Sequence, residues 1–254
     1  MRLVTPLCAD SETGGIVVFF PHAGGSPRFF THLAMAMPHC RVFGVTYPGR
    51  DHLIDAAPLT EMTTLAMRIA HELVARFSDE SGPLTLVGHS LGAFVAYETA
   101  AVLGTFLDPV RTTVVVSGQN PPLADRSADL SVPRTDDEIV ADVIRQNPAT
   151  APIWGNVELR EFFLPIVRAD YQLLNAYRFS KTRIEKVKVV IGDQDTEVDP
   201  SRVAGWQQVS NQPVEISVVS GGHFYLDSPD VQLAQELLRM PALKPMPEGG
   251  RIHG

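Results

Sequence analysis

The stretch Leu84-Thr-Leu-Val-Gly-His-Ser-Leu-Gly-Ala93 decides the fold. Its first four residues predict a short strand, and the apolar run from 91 to about 103 predicts a helix. Between them lies the pattern Gly88-x-Ser90-x-Gly92, typical of a sharp turn that projects a serine hydroxyl from the carboxyl edge of a sheet. Side chains at both glycines would collide with the adjoining strand and helix. The pattern alone is weak, but its strand–turn–helix setting predicts a nucleophile at Ser90.

A base must follow, because a serine hydroxyl is a poor nucleophile until its proton is removed. Of the eight histidines, His223 is the best candidate. It stands in Ser220-Gly-Gly-His-Phe224, directly after the last predicted strand, where a loop can carry it over Ser90. The alternative is a solvated loop histidine. His89 adjoins the serine, but the turn directs it elsewhere, and we interpret it as a packing residue.

The histidine needs a carboxylate that fixes its tautomer and stabilises its cation. Gly192-Asp-Gln-Asp-Thr-Glu-Val198 follows a predicted strand and lies between Ser90 and His223 in chain order, as the α/β-hydrolase fold requires. Asp195 is preferred, since it lies just past the strand end and deep enough in the turn to point inward. Asp193 remains the alternative.

An oxyanion formed at the serine needs two backbone N–H donors. One is Leu91, at the start of the helix, where the helix dipole favours negative charge. The second is expected from the turn Phe20-Pro-His-Ala-Gly-Gly-Ser26, which follows the first central strand. Ala23 is the preferred donor and Gly24 the alternative. Without the other groups, a plain glycine-rich turn would be a sufficient interpretation.

Strand-like and helix-like segments alternate along the chain, which predicts an α/β-hydrolase fold with a mostly parallel sheet and helices on both faces. Helical spacing of apolar residues predicts a helix over 62–77. Asp199–Pro200 and Ser228–Pro229 each predict a helix start, so helices are expected after the last two strands. The predicted strands span residues 16–20, 41–47, 84–87, 112–116, 187–191 and 214–219.

The alternation stops over about residues 119–180, where we predict a helical lid insertion, called the lid below. Thr135-Asp-Asp-Glu138 predicts a capping box that opens one helix. Apolar residues between 159 and 177 predict a second helix, which Pro165 can kink. Such an insertion commonly covers an active site, although packing alone also explains its apolar stripes. Residues 1–254 are expected to form a single domain, with a flexible tail over about 244–254.

The composition excludes several classes of protein. The chain has 254 residues, 44% of them hydrophobic and 20% charged, which is ordinary for a globular protein. A net charge of −8 argues against nucleic acid or an anionic membrane as a partner, and the apolar runs are too short to cross a bilayer. Two cysteines and no recognisable secretory signal favour a cytoplasmic location. Neither a cofactor nor a metal is expected.

Together these motifs resemble the stand-alone type II thioesterases of polyketide and non-ribosomal peptide assembly lines. The elbow around Ser90 is common to all α/β-hydrolases, whereas the Pro-His-Ala-Gly-Gly and Tyr-Pro-Gly-Arg blocks are much narrower. The chain departs from the family at Arg145-Gln-Asn-Pro-Ala-Thr150, where members usually carry a glycine-rich turn. The resemblance rests on Phe20-Pro-His-Ala-Gly-Gly-Ser26, Tyr47-Pro-Gly-Arg50, Gly88-His-Ser-Leu-Gly-Ala93, Gly192-Asp-Gln-Asp195, Gly221-Gly-His-Phe224 and the predicted lid helix over 158–170.

The resemblance implies hydrolysis of acyl groups held as thioesters on the phosphopantetheine arm of an acyl or peptidyl carrier protein, for editing or product release. It matches Ser90, Asp195 and His223 to the family's triad. Two rival hypotheses are a small-molecule carboxylesterase or lipase-like hydrolase and a non-catalytic binding module. Because the resemblance also implies an acidic carrier, docking would need clustered basic residues on this acidic chain. The candidates, with an unclustered scatter as the alternative, are Arg28, Arg50, Arg126, Arg134 and Arg168.

Overall fold

A computed structural model describes residues 1–8, 14–122, 135–227 and 231–238. Within these residues the central sheet has seven strands. In spatial order they run β1, β3, β2, β4, β5, β6, β7 when numbered along the chain. The first strand is antiparallel to its neighbour, and the other neighbouring pairs are parallel. The bounds are β1 Val4–Pro6, β2 Ile16–Phe20, β3 Arg41–Val45, β4 Leu84–His89, β5 Thr112–Ser117, β6 Lys186–Gly192 and β7 Glu215–Val219.

Helices cover both faces of the sheet. Alternate residues of β2 enter two different cores, because side chains along a strand point to opposite faces. Ile16, Val18 and Phe20 pack with α2 and α3 (Met62–Phe77 and Leu91–Leu103). The two residues between them pack with α1 and α7 (Thr31–Met35 and Val231–Leu238). The predicted parallel sheet with helices on both faces is therefore confirmed.

The sheet order brings four loops to one edge. In register, Phe20 of β2 faces Gly88 of β4, and Gly192 of β6 faces Val219 of β7. These four strands end together because they are parallel. The loops that follow them carry the predicted oxyanion turn, nucleophile, carboxylate and base. Ligands of open α/β sheets bind at this carboxyl edge.

The described part of the predicted lid contains α4, α5 and α6, which span Asp136–Gln146, Ala151–Gly155 and Val157–Ala176. The capping box at Thr135 is present: its hydroxyl accepts from Glu138 N–H, and the glutamate side chain accepts from Thr135 N–H. Pro165 lies inside α6, which remains one helix. A separate small core joins the lid helices, formed by Ile139, Val140, Trp154, Leu164, Val167 and Tyr171. The mobility of the lid stays a prediction.

One strand was not predicted, and one predicted helix differs from the structure. The three-residue strand β1 was not predicted, because it is too short for a pattern in the sequence. After β6 a 3-10 helix over Val203–Val209 replaces the expected α-helix. Asp199 Oδ1 accepts from the N–H and hydroxyl of Ser201, so it closes its own turn instead of capping a helix.

Two of the expected features involve residues that the structure does not describe. Ser228–Pro229 and the tail over 244–254 lie outside the described residues, although α7 does follow β7 as expected. None of the helices in the described ranges is long and apolar enough to cross a membrane.

Candidate active site

Ser90 occupies a strained turn between β4 and α3. Its φ and ψ are 54° and −119°, a conformation that residues other than glycine rarely adopt. Its N–H donates to Ser117 O at 2.9 Å, which ties the turn to the neighbouring strand β5. A Cβ at Gly88 would lie 2.2 Å from Gly92 O, and one at Gly92 would lie 2.0 Å from Phe20 O. Both glycines are therefore required for the turn, as the sequence predicts.

His223 and Asp195 form a buried pair. His223 Nδ1 lies 3.1 and 2.9 Å from the two carboxylate oxygens of Asp195. The exposed fraction of the two side chains is 5% and 0%. The carboxylate is held in turn by Glu197 N–H, which donates to Oδ1 at 2.9 Å. With its proton on Nδ1, the imidazole has Nε2 as its basic nitrogen.

Asp193 has a different partner. Its Oδ1 accepts from Gly221 N–H at 2.8 Å, so it braces the loop that carries the histidine. Of the two candidate carboxylates, Asp195 is the one that reaches His223.

Ser90 and His223 are not joined by a hydrogen bond within the described part of the chain. The His223 ring lies 4.9 Å, centroid to centroid, from the ring of His89, the residue before Ser90. Catalytic hydrogen bonds in proteins without bound substrate are often long and tighten only when substrate binds. The loops after β4 and β7 thus carry both groups to one site.

In the part of the chain that the structure describes, the N–H groups of the two expected oxyanion donors, Leu91 and Ala23, are free to bind an oxyanion, whereas that of the alternative, Gly24, is not. Leu91 is the first residue of α3, so its N–H lacks an acceptor within the helix. No acceptor for Ala23 N–H is found among the described residues. Gly24 N–H, in contrast, donates to Asp170 Oδ2 at 2.7 Å and is occupied.

His89 is a neutral packing residue with an assignable tautomer. Its Nδ1 lies 2.9 Å from Ser117 Oγ. That hydroxyl bonds to the Tyr225 hydroxyl, which itself donates to Val190 O at 2.9 Å. Since Tyr225 uses its proton on the carbonyl, Ser117 must donate to Tyr225 and accept from His89, which places the His89 proton on Nδ1.

Two buried histidines surround the base without competing for its proton. Burial is the main cause that lowers the pKa of His89 well below 6.5, and the nearby His223 and His22 lower it further. Burial, followed by His223 and Arg50, lowers the pKa of His22 to about 3. Both rings are therefore uncharged at neutral pH.

The expectation that Arg50 docks a partner was wrong. Its side chain is 6% exposed and forms an ion pair with Asp170 of α6 at 2.7 Å, because the Tyr-Pro-Gly-Arg turn points inward. Arg28, 81% exposed, lies 3.5 Å from Asp51. Arg168 pairs with Asp136. Arg126 and Arg134 lie outside the described residues.

No local pattern predicts the contact between Arg50 and Asp170, which are 120 positions apart. The available signal was the block Tyr47-Pro-Gly-Arg50, which few families share.

Comparison with protein families matches residues 15–240 to the thioesterase domain family. The chain belongs to the thioesterase family. The chain is similar to solved structures as well: with YbtT, a type II thioesterase from the yersiniabactin NRPS/PKS biosynthetic pathway, it shares 30% identity at a TM-score of 0.77, over 93% of this chain and 95% of that one. The resemblance to type II thioesterases and the α/β-hydrolase fold are thereby confirmed.

Several curated relatives of this chain are named as thioesterases of biosynthetic pathways. A probable anguibactin biosynthesis thioesterase, AngT, of Vibrio anguillarum is 30% identical over 85% of this chain and 88% of its own length. A probable cadicidin biosynthesis thioesterase of Streptomyces griseus is 32% identical over 93% of this chain. The chain spans 65% of that relative, and 15% of some longer curated relatives.

Proposed function

We propose that this chain is a serine thioesterase that removes acyl groups from the phosphopantetheine arm of acyl or peptidyl carrier proteins. The observation that carries the proposal is the bidentate contact of buried His223 with Asp195, on the sheet edge where Ser90 occupies its strained turn. Membership of the thioesterase family supports a thioester as the substrate. The names of the relatives support a place in polyketide or non-ribosomal peptide biosynthesis.

Acylation is the first step. His223 Nε2 takes the proton of Ser90 as Oγ attacks the thioester carbonyl. The carbonyl oxygen becomes negative and accepts from Leu91 N–H and Ala23 N–H. Ala23 is preferred over Gly24 because the N–H of Gly24 is already bonded to Asp170. The C–S bond then breaks, the pantetheine thiol leaves with the proton from His223, and the acyl group remains on Ser90.

Deacylation repeats the sequence with water. His223 removes a proton from a water molecule, which attacks the acyl-serine through a second oxyanion. Collapse returns the proton to Ser90 and releases the carboxylic acid. Asp195 stays ionised throughout and stabilises the imidazolium that forms in each step.

The partner in this proposal is a carrier protein in the cytoplasm. The free state of Cys8 and Cys40 supports a reducing compartment. Because Arg50 is buried, it takes no part in docking in this proposal, and the arm and the acyl group enter the site. Editing and product release both use the chemistry above.

A panel of acyl groups loaded on a carrier protein tests the function, with the carrier mass read by mass spectrometry. We expect wild type to release at least one acyl group, and Ser90→Ala to fold normally and lose at least roughly 10³-fold in turnover. A fluorophosphonate should label wild type at Ser90 and leave Ser90→Ala unlabelled. Preferential hydrolysis of p-nitrophenyl esters over every carrier thioester would instead indicate a carboxylesterase, and absence of both labelling and turnover a binding module.

A further inference from the structure

The oxyanion turn, residues 21–25, is held at three points. Tyr47 OH donates to Pro21 O at 3.0 Å. Arg50 Nη1 donates to Gly25 O at 2.9 Å. Between these two carbonyls, Gly24 N–H donates to Asp170 Oδ2 at 2.7 Å. The peptide group that follows Ala23 is thus held by a side chain from outside the turn, and so are the carbonyl groups near its two ends.

Two of these side chains form a buried ion pair with each other. Arg50 Nη1 and Nη2 donate to the two Asp170 oxygens at 2.8 and 2.7 Å, and the side chains are 6% and 5% exposed. The guanidinium also lies over the ring of Tyr47, 5.2 Å from its centroid. Buried pairs of this kind contribute little to stability compared with apolar residues of similar size. A role in fixing geometry accounts better for the pair.

Helix α6 packs directly against the same turn. Gly24 has a φ of +72°, and a Cβ there would lie 2.8 Å from Val167 Cγ2. Val167 and Asp170 are one helical turn apart, so they share one face of α6. The turn is therefore enclosed between this face and the Tyr47–Arg50 segment.

The charge of the pair is also significant. A lone carboxylate beside a developing oxyanion would oppose the build-up of negative charge. Arg50 neutralises Asp170 through two hydrogen bonds, so the carboxylate can hold Gly24 N–H without that penalty. A neutral clamp next to the oxyanion site results.

We propose that Tyr47, Arg50 and Asp170 are positioning residues that aim Ala23 N–H at the oxyanion. The inference rests on the proposed function, because it assigns a role within the same acyl transfer. None of the three touches the reacting atoms. They act by holding the turn, and their loss lowers stabilisation of the transition state more than binding of substrate.

The first test is Asp170→Asn, assayed with butyryl- and octanoyl-pantetheine thioesters. We expect kcat to fall about 10- to 100-fold with KM nearly unchanged, since the full loss of one oxyanion donor costs about 10²- to 10³-fold. The rate of Ser90 labelling by a fluorophosphonate should fall in parallel, because phosphonylation develops charge at the same place. Arg160→Gln is the matched control. It removes a solvent-accessible ion pair of α6 with Asp137 and should leave kcat and labelling unchanged.

A structural role for the pair is separated by the double variant Arg50→Met/Asp170→Leu. Apolar side chains of similar volume should restore the melting temperature that Asp170→Asn loses, while kcat stays low because Gly24 and Gly25 have lost their partners. Recovery of kcat together with melting temperature would overturn the proposal. Tyr47→Phe removes only the bond to Pro21 O, and a kcat drop of roughly 3- to 10-fold is expected.

The controls distinguish the two levels of the hypothesis. If wild type is active, Ser90→Ala is inactive and all clamp variants keep wild-type kcat, the positioning role is refuted and the thioesterase function stands. If wild type and Ser90→Ala are equally inactive on every substrate, and the fluorophosphonate labels neither of them, the proposed function itself is refuted.

Discussion

Two aspartates separated by one residue have different tasks. Asp195 binds the base through both oxygens, whereas Asp193 binds Gly221 N–H. We therefore expect Asp195→Asn to lower kcat on the order of 10³- to 10⁴-fold, because an amide stabilises the wrong tautomer of His223. Steady-state kinetics on a pantetheine thioester measures the effect.

Asp193→Asn is the matched control for that substitution. It keeps an oxygen that can accept from Gly221 N–H, so its kcat should stay within a few fold of wild type. A large loss at Asp193 with little loss at Asp195 would show that the carboxylate was assigned two positions too late.

The candidate site residues were predictable from sequence, and the residues that contact their loops were not. Ser90, Asp195 and His223 follow strand ends in an order that the fold prescribes. The partnership of Arg50 with Asp170 depends on how α6 crosses the turn, which no local pattern encodes. The choice between Ala23 and Gly24 likewise needed the Asp170 contact.

At the scale of elements, the two halves of α6 differ. Before Pro165, Val157 and Phe162 are 69% and 54% exposed. After it, Asp170 is clamped to the oxyanion turn and Leu173, 1% exposed, packs in the main core. If the lid moves, α4, α5 and the first half of α6 move, and the second half stays with the sheet.

Hydrogen exchange tests this division. Amides of α4, α5 and residues 157–164 should exchange faster than those of 166–176, and α3 should be slowest because it is buried on all sides. Uniform protection across α3 and the whole of α6 would contradict a mobile lid.

An ion pair links α4 to the loop that carries Asp195. Arg145 binds both oxygens of Glu197, whose N–H donates to Asp195. Because Arg145 is 54% exposed, the pair should contribute at most about 1 kcal/mol. Arg145→Gln should therefore speed exchange in α4 by up to about 5-fold. Arg160→Gln is the comparison, because it also removes an ion pair of the lid but has no link to this loop. Equal acceleration of exchange in both variants would show that the Arg145–Glu197 pair has no specific effect on α4.

Two long helices were predicted to the residue, and several short elements were missed. The bounds of α2 and α3 agree with the expected 62–77 and 91–103, because burial repeats over several turns. By contrast, β1, α1 and α5 have three to five residues, too few for a period to show. The 3-10 helix over Val203–Val209 replaced an α-helix that Asp199–Pro200 indicated, since a start signal alone does not supply helical propensity.

On the scale of the whole molecule, net charge opposes the proposed partner. The chain carries −8, and the family resemblance implies an acidic carrier, so encounter is slowed by repulsion. Raising ionic strength from about 0.02 to 0.2 M should screen this repulsion and increase kcat/KM for an acyl-carrier thioester. The same acyl group on free pantetheine is the control, with little change expected. A fall in kcat/KM for the carrier alone would reveal a basic docking patch.

The buried histidines make the stability of the whole molecule depend on pH. His89 and His22 have pKa values far below 6.5 in the folded chain, because burial disfavours their charged forms. In the unfolded chain each titrates near 6.5. Below that pH the unfolded state binds more protons, so the free energy of unfolding falls as pH falls. Between pH 7 and 5 His22 should lower it by about 2 kcal/mol, and His89 acts in the same direction.

Urea unfolding at pH 7, 6 and 5 measures this loss, and His22→Phe isolates one contribution. The His22 ring packs edge-on against Phe29 and Phe224, and its buried Nδ1 has no hydrogen-bond partner among the described residues, so a phenyl ring is a suitable replacement. The variant should lose about 2 kcal/mol less than wild type between pH 7 and 5. His39→Gln, which removes an exposed histidine, should follow wild type. If His22→Phe and wild type lose equal stability, His22 does not stay neutral in the folded chain, and the acid sensitivity must come from other groups.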